Sequence, residues 1–344
     1  MKESISRRGF LKTGAVALGG AAMADLGVAS AGAASKKATT SARSQVYFTR
    51  DISVAGLRKI YAKVNGGIAG KVGIKLHTGE PHGPNLLPIE LIKGLQSQIP
   101  NSTIVECNVL YPSPRQRTET HREVIKTNGF DFCPVDIMDA DGDVSLPVPG
   151  IAGILAQPSE VPGSDQPLYT PGKHLTEVAF GKNLVNYDSL LVYTHFKGHT
   201  MGGFGGSLKN IAIGCASGKT GKLQQHGVDW KINGPLFMEM MCESGAAVLG
   251  HFGPHMAFIN VLKNISVDCD CDAHGKPPTC HDIGIMGSRD LLAIDKASVD
   301  MIYQLPTGPR RDIVERIESR SGLRQLEYMK TLKMGNDKYE LIEI

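Results

Sequence analysis

The first third of the 344-residue chain alternates short β-branched runs with amphipathic stretches, and this alternation limits the fold more than any other feature. Strands that alternate with helices of this length form βαβ units, and βαβ units build a parallel sheet. The sequence therefore predicts an α/β protein. The predicted strands cover residues 46–48, 71–76 and 103–107, and the predicted helices cover residues 54–64, 87–98 and 115–128.

The rest of the chain continues this pattern and shows no internal repeat. Residues 178–184 read as short and irregular, and the last two predicted helices, in 312–335, carry a charged face. We therefore expect a mainly parallel sheet flanked by helices in Rossmann-like layers, within a single α/β domain over residues 45–344. Further strands are predicted at 189–194, 258–267 and 282–286, and further helices at 233–249 and 293–304.

The N-terminus carries an export signal. Residues 6–12 read SRRGFLK, the twin-arginine pattern, and a weakly apolar run leads to an A-x-A cleavage site at residues 31–33. The run is too short and too rich in glycine to span a membrane. We predict a twin-arginine signal peptide over residues 1–33 and a polar linker over 34–44. The twin-arginine translocon is then the export partner, and the location is periplasmic or otherwise extracytoplasmic.

Two further features narrow the partners. No cysteine stands at the cleavage site, so we expect no lipid or other membrane anchor once the signal is removed. The formal net charge is only +3, which gives no reason to expect nucleic acid as a partner. A small-molecule substrate is the expected partner.

A cysteine-rich stretch at residues 267–281, VDCDCDAHGKPPTCH, concentrates soft and imidazole metal ligands. Thiolate and imidazole ligands suit zinc or iron, including an iron–sulfur centre. Twin-arginine export moves folded proteins, often with a cofactor already bound, and this favours a metal further. The predicted ligands are Cys269, Cys271, Cys280, His281 and His274.

The expected geometry follows from an extended chain, in which neighbouring side chains point to opposite faces. Cys269 and Cys271 would share one face, about 6.5 Å apart along the strand, and Asp270 would point away. Gly275 and the two prolines after it would turn the chain and return Cys280 to the same place. The alternative is a Cys271–Cys280 disulfide, which an oxidising compartment permits.

Polar loops follow three of the predicted strands. Ligands of parallel sheets bind beyond the carboxyl ends of the strands, so these loops are expected on one edge. His77, His195 and His199 are candidate catalytic acids or bases, together with Lys197. Arg115 is a candidate clamp for an anionic substrate. The alternative for each histidine is an ordinary loop or core residue.

Residues 197–226 are unusually rich in glycine and lead into a predicted helix that begins near residue 207. Backbone N–H groups at such a helix start can bind a phosphate or a carboxylate. Lys209 and Lys219 are the candidate substrate-binding cations. A flexible lid, or a close crossing of two backbones, explains the glycines equally well.

Several short motifs recur across residues 45–305 and carry a resemblance. They are ECNVLY at 106–111 with Arg115, His121 and NGF at 128–130, FKGH at 196–199, GFGG at 203–206, Lys209-Asn210 with GCAS at 214–217, DCDC at 268–271, and DIGIMGSRD at 282–290 with AID at 293–295. With them the chain resembles the family that carries the domain of unknown function DUF362. The resemblance implies the α/β fold and a redox or metal-binding character. Many members carry a ferredoxin segment with C-x2-C-x2-C-x3-C spacing, which this chain lacks.

Two functional hypotheses follow. The first is an exported metal-binding enzyme, with an iron–sulfur or other redox centre included, that acts on a small anionic substrate; a metal-dependent oxidoreductase is one form of it. The alternative is a non-catalytic periplasmic binding protein whose cysteines form a structural disulfide or hold a structural metal. The two differ in whether the metal keeps an open coordination position for a substrate.

Overall fold

A computed structural model describes residues 43–149 and 173–344 of the chain. The predicted signal peptide and most of the predicted linker lie outside the described residues. Within the described part, the strands are β1 (Ser44–Thr49), β2 (Val72–Lys75), β3 (Ser102–Glu106), β4 (Val135–Ile137), β5 (Asp143–Pro147), β6 (Glu177–Gly181), β7 (Ser189–His195), β8 (Lys197–His199), β9 (Gly203–Gly205), β10 (Met256–Leu262), β11 (Gly284–Ser288) and β12 (Tyr339–Glu343). The helices are α1 (Val54–Val64), α2 (Ile89–Gln96), α3 (Thr118–Thr127), α4 (Ser207–Ala212), α5 (Gly221–His226), α6 (Gly234–Phe252), α7 (Leu291–Gln304), α8 (Thr307–Ser319) and α9 (Arg324–Thr331).

Eight of these strands form one sheet in the order β12-β1-β11-β10-β7-β2-β3-β4. The strands β10, β7, β2, β3 and β4 run parallel to one another, while β11 pairs antiparallel with both β1 and β10. The predicted mainly parallel α/β sheet flanked by helices is confirmed. Two small antiparallel pairs, β5 with β6 and β8 with β9, lie outside the main sheet.

The central strands are buried on both faces, as a parallel sheet requires. Along β7, Leu190 and Val192 belong to one core cluster, and Leu191 and Tyr193 belong to the other. The first core is covered by α4, α6, α7, α8 and α9, and the second by α1, α2 and α3. This alternation with a period of two residues places helices on both faces of the sheet.

The helices form where apolar spacing and capping agree. Helix α1 begins after Ser53, whose hydroxyl accepts a hydrogen bond from the Gly56 N–H at 3.2 Å. Leu57, Ile60 and Val64 lie three and four residues apart and are fully buried on one side of this helix. The structure gives α1 the bounds that the sequence predicted.

The glycine-rich segment is built around an internal carboxylate. The N–H groups of Ser207 and Leu208, at the start of α4, donate to the buried Asp295 at 2.8 and 2.9 Å. Asn260 donates to the same carboxylate at 2.9 Å. A side chain at Gly206 would collide with Asp295, since a Cβ there would lie 2.5 Å from its oxygen. The helix start that the sequence offered to a phosphate or carboxylate ligand is therefore filled by the protein itself.

The structure differs from the predictions mainly in the second half of the chain. Strand β10 ends at Leu262, five residues before the end of the predicted strand 258–267. The extended chain expected from there to residue 272 is wrong, because residues 263–283 form an irregular loop. Residues 178–184, predicted as irregular, contain most of strand β6. The C-terminal strand β12 was not predicted. Among the described residues, no helix has the length and apolar character needed to cross a membrane.

Replacing Asp295 with alanine would leave two buried N–H groups and the Asn260 amide without an acceptor. We expect Asp295→Ala to lower the free energy of unfolding by about 3 kcal/mol, since each unsatisfied buried group costs roughly 1–3 kcal/mol. Denaturant unfolding measures the change. Asp312→Ala, which removes a partly exposed surface carboxylate from α8, is the matched control and should change stability by less than about 0.5 kcal/mol. Equal stability of the two variants would contradict the assignment.

Candidate active site

Strand order places a crevice between β2 and β7. The chain leaves β2 for β3 on one side, and it leaves β7 for its parallel neighbour β10 on the other side. Ligands of open α/β sheets bind at such a switch point, beyond the carboxyl ends of the strands. The loops after β2, β3 and β7 all lie at this edge, and the loop after β10 joins them. The prediction of one shared edge for the three polar loops is confirmed.

A cavity of about 690 Å³ opens at this edge. This volume lies in the range of small-molecule and cofactor sites, roughly 300–1,000 Å³. Nearly half of the residues that line the cavity are titratable: Lys75, His77, Glu80, Glu106, Cys107, Tyr111, Arg115, His195, Lys197, His199, Lys209, Lys222, His226, Cys271 and Asp272.

A buried charge cluster around Glu106 forms one wall. Glu106 accepts two hydrogen bonds from Arg115 Nη2, at 3.1 and 3.2 Å, and lies 3.7 Å from Lys75 Nζ. His121 Nε2 and the Thr78 hydroxyl also contact this carboxylate. Burial alone would raise the pKa of Glu106, but Arg115 and Lys75 hold it well below its usual range. Glu106 is therefore ionised and fixes both cations at the cavity.

Glu80 supplies the second carboxylate on this wall. It accepts hydrogen bonds from the hydroxyls of Tyr111 at 2.7 Å and Ser113 at 2.6 Å, and it lies 3.4 Å from Arg115 Nη1. Arg115 is thus bound by two carboxylates and faces the cavity with its charge largely compensated. Its main role in the structure is to pair with Glu80 and Glu106, which leaves little free positive charge for a substrate.

A second buried cluster surrounds Asp270. His195 Nδ1 lies 2.9 Å from this carboxylate, and Lys197 Nζ lies 2.8 Å from it. His195 Nε2 contacts the Lys263 carbonyl at 2.8 Å, so both ring nitrogens face acceptors. Burial would lower the pKa of Lys197, but Asp270 raises it above its usual value. His195 and Lys197, predicted as catalytic groups, both bind Asp270 and so fix the loop that contains the cysteines.

That loop reaches the site because of one glycine. A Cβ at Gly198 would lie 2.2 Å from the Val267 carbonyl oxygen, and the Gly198 N–H donates to the Ser266 carbonyl at 2.8 Å. The backbone crossing that the sequence left open as a reason for the glycines therefore occurs here. Just beyond it the chain turns, with the Asp272 N–H donating to the Cys269 carbonyl at 2.9 Å.

The turn brings Cys269 and Cys271 together with His199. Their ligand atoms all lie within 4.8 Å of one another, so the three residues could hold a metal ion. A hydrogen bond from Cys271 holds the pKa of Cys269 well below its usual range, against the effect of burial, and Lys209 and Lys197 lower it further. Lys209 Nζ lies 4.0 Å from Cys269 Sγ. The lowered pKa favours the thiolate form of Cys269, beside the Lys209 ammonium.

The orientation of His199 fixes its proton. Nδ1 accepts hydrogen bonds from the N–H groups of Gly202 at 2.9 Å and Met201 at 3.3 Å. Burial, with Lys209 next, holds the pKa of His199 well below its usual range, so the ring is neutral. A neutral imidazole with an accepting Nδ1 carries its proton on Nε2. His199 is thus arranged as a proton donor on that side.

His77 has a similar environment. Its Nδ1 accepts from the Gly79 N–H at 2.9 Å, and its Nε2 lies 3.5 Å from Arg115 Nη1. Burial and the neighbouring Arg115 hold its pKa well below the usual range. The structure therefore places two neutral histidines, His77 and His199, on the cavity wall.

The family model described as a domain of unknown function, DUF362, matches residues 72–300 of the chain. This match spans more than half of the sequence. The chain belongs to the DUF362 family.

Other comparisons are weaker. No curated protein matches this DUF362 protein. A lactate racemase apoprotein structure from Thermoanaerobacterium thermosaccharolyticum has 13% sequence identity and a TM-score of 0.38, over 76% of this chain and 57% of that chain. A protein structure from Thermotoga maritima has 10% identity and a TM-score of 0.38, over 78% and 58% of the two chains. The DUF362 protein thus spans less than two thirds of either.

Three of the predicted metal ligands do not join the cysteine pair. Cys280 Sγ contacts the Pro309 carbonyl at 3.2 Å, and the side chains of His274 and His281 are exposed. All seven cysteines are free, so the alternative Cys271–Cys280 disulfide is not formed. The prediction relied on an extended chain at Cys269 and Cys271, followed by a turn at Gly275 and the two prolines that would bring Cys280 back beside them. The chain instead forms an irregular loop.

The predicted substrate cations also divide. Lys209 lines the cavity, whereas Lys219 is exposed and does not line it. Lys222, one helical turn later, is buried and lines the cavity in its place. Sequence reasoning missed Lys222, although helical spacing after Lys219 was a usable signal. It also missed Asp270, which an extended chain would have turned away from the cysteines.

Asp270→Asn would leave the buried Lys197 ammonium without its counter-charge. We expect this DUF362 variant to lose about 3–5 kcal/mol of unfolding free energy, measured by denaturant unfolding. The Asp270→Asn/Lys197→Met double variant should recover part of that loss, because it removes both charges. Asp272→Asn, two residues along and exposed, is the control and should be near neutral. A double variant less stable than Asp270→Asn alone would contradict the ion pair.

Proposed function

We propose that this DUF362 protein is an exported enzyme that acts on a small anionic substrate, with a soft metal ion bound by Cys269 and Cys271 beside the substrate. The observation that carries the proposal is the cysteine pair, of which Cys271 lines a cavity that has an excess of cations and Cys269 is buried beside it. Five lysine and arginine side chains line this cavity, against three carboxylates.

The excess is located at two lysines. Lys75, Arg115 and Lys197 each lie within 4 Å of a buried carboxylate. In the described part of the chain, no carboxylate lies within salt-bridge distance of Lys209 or Lys222. Lys222 is buried, and the half-buried Lys209 has only the Cys269 sulfur at 4.0 Å, so neither cation is fully compensated, which is costly. An anionic substrate group between these two lysines would compensate them, and this supports the choice of substrate class.

The cysteine pair fits a soft metal through its sulfurs. Thiolates select zinc, iron and related soft ions, and Cys269 needs to lose no further proton to bind one. His199 fits less well, because its Nε2 proton must leave while Nδ1 keeps accepting from the backbone. The pair supplies two cysteine ligands, whereas a cubic iron–sulfur cluster takes four. Zinc or a single iron is therefore favoured over a cluster, and other coordination positions stay open for a substrate.

The chain's own residues then take distinct roles. Lys209 and Lys222 bind the anionic group, while Glu106 and Asp270 keep Arg115 and Lys197 in place around it. His77 and His199 are neutral and line the cavity, so each can exchange a proton with the substrate. A bound metal would act as a Lewis acid or a redox centre.

A second candidate is metal-free thiol chemistry. It is favoured by the donors around the Cys269 sulfur, namely Cys271 and Lys209, and by the Nε2–H of the neighbouring His199. Such donors stabilise a thiolate nucleophile. In this form the Cys269 thiolate adds to an electrophilic carbon of the substrate, the π bond of that carbon opens onto its neighbouring atom, and Cys271 gives that atom a proton.

The test compares metal content among cysteine variants. Elemental analysis of the protein purified without oxygen should find about one soft metal ion per chain, lost in Cys269→Ser/Cys271→Ser and retained in Cys280→Ser. Cys280 is the matched control, because its sulfur lies outside the pair.

Other outcomes decide between the alternatives. Metal-free protein with a thiol that reacts at Cys269 would replace the metal proposal by thiol chemistry. A double variant that loses both metal and fold would favour the structural-metal binding protein, and thermal unfolding of each variant separates that case.

Export is proposed from the first twelve residues. Arg7→Lys/Arg8→Lys should abolish the mature form in the periplasmic fraction, since the twin-arginine translocon recognises the arginine pair. Lys36→Gln/Lys37→Gln changes two cations of the linker and should leave export unchanged. Immunoblots of cell fractions and the N-terminal residue of the exported protein measure both. Periplasmic protein in the first variant at the normal level would contradict the export proposal.

A further inference from the structure

The cavity mouth is built by a strained segment between α5 and α6. Asp229 and Trp230 adopt left-handed φ angles of 55° and 58°, and they follow Gly227, whose φ is 70°. Left-handed backbone costs a non-glycine residue of order 1–2 kcal/mol. Strain of this kind persists where surrounding structure fixes it, and it clusters at ligand sites.

The strained backbone positions an aromatic pair. The Trp230 ring lies 4.5 Å from the His226 ring, at an interplanar angle of 51°. His226 in turn stacks on Phe237, with ring centroids 4.8 Å apart and an interplanar angle of 24°. Both Trp230 and His226 line the cavity, and Trp230 is 38% exposed. A flat, partly exposed ring thus faces the cavity from a fixed position.

His226 also has an unused polar atom. Its side chain is 5% exposed, and among the described residues its Nδ1 has no hydrogen-bond partner. Buried polar atoms of this kind are rare in folded proteins, and a ligand or an ordered water satisfies them. This Nδ1 is enclosed within the cavity wall, so His226 is an incompletely satisfied polar ring that packs behind Trp230.

The aromatic pair and the anion site share one helix. Lys222 and His226 lie four residues apart on α5 and therefore on the same face, about 5–6 Å between their Cβ atoms. Both side chains line the cavity. The cavity is also much larger than a small carboxylic acid or a phosphate ion requires. A ligand that reaches both groups must join an anionic group to a flat body.

We infer that the substrate is an aromatic anion, whose flat ring stacks on the partly exposed ring of Trp230 at the cavity wall while its phosphate or carboxylate binds Lys222 and Lys209. The inference rests on the proposed anion site. It assigns Trp230 as a specificity-determining residue, which no sequence motif marks.

The chain contains a single tryptophan, so its fluorescence reports on this position alone. Titration of the full protein with phenyl phosphate should give a saturable change in Trp230 fluorescence. Three further ligands separate the contributions to binding. Inorganic phosphate has the charge alone, cyclohexyl phosphate has the charge and the bulk without a flat ring, and benzyl alcohol has the flat ring without the charge. We expect phenyl phosphate to bind about tenfold more tightly than cyclohexyl phosphate, because stacked aromatic pairs add roughly 0.5–1.5 kcal/mol beyond burial.

Variants measured by calorimetry complete the test. Trp230→Leu should weaken phenyl phosphate about tenfold and leave inorganic phosphate unchanged, and Trp230→Phe should retain most of the affinity. Lys222→Met should weaken both phosphates. Leu236→Ala, at an exposed position on α6, is the control and should change neither.

The failures are distinguishable. If inorganic phosphate and phenyl phosphate both fail to bind, the proposed anion site is wrong. If phosphate binds through Lys222 but cyclohexyl phosphate binds as tightly as phenyl phosphate, the anion site stands and the aromatic inference is overturned. A Trp230→Leu variant that binds phenyl phosphate as tightly as the unmodified protein would overturn it as well.

Discussion

The candidate site depends on one buried carboxylate, that of Asp270. It binds Lys197 and His195 from β8 and β7, and its own backbone carbonyl accepts the Glu80 N–H at 2.9 Å. The irregular loop after β10 is thereby fastened to the loop after β2 and to strands β7 and β8. Because Asp270 stands between Cys269 and Cys271, the same contacts that bury the carboxylate set where the two sulfurs point.

This arrangement also explains which parts could be predicted from sequence. The parallel sheet and the shared edge follow from local signals, because helix and strand periodicity is a property of each short segment. The cysteine pair was found because two thiols two residues apart stay close in almost any backbone. Cys280, nine residues further on, depended on how the loop closes, and that closure is set by Asp270 and by the Gly198 crossing, which are tertiary contacts. Lys222 was missed for a related reason. Its spacing from Lys219 is visible in the sequence, but only the packed structure shows that Lys219 is exposed and that Lys222 turns inward on α5.

The charges at the edge divide into compensated and uncompensated groups. Glu106 and Asp270 each hold cations whose desolvation would otherwise be severe, and a low local dielectric makes those pairs strong. The fold could have supplied a carboxylate for Lys209 and Lys222 in the same way, and in the described residues it does not. Burial lowers the pKa of Lys222, with the surrounding charges acting on it next, which is the cost of leaving it unpaired. An anion that entered the cavity would lower the free energy of these uncompensated lysines, so anion binding would stabilise this part of the fold.

The tautomer of His199 bears on both metal binding and thiol chemistry, because it decides which ring nitrogen can ligate a metal and which can donate a proton. Metal-bound histidines usually donate their second N–H to an acceptor, which leaves the other nitrogen free to ligate. Here Nδ1 accepts from two backbone N–H groups, so Nε2 carries the proton of the neutral ring. The backbone turn at Met201 and Gly202 therefore favours a negatively charged sulfur beside a proton donor. A metal bound at the same place draws chiefly on Cys269 and Cys271, and His199 remains placed to pass its proton to a substrate held by the neighbouring lysines.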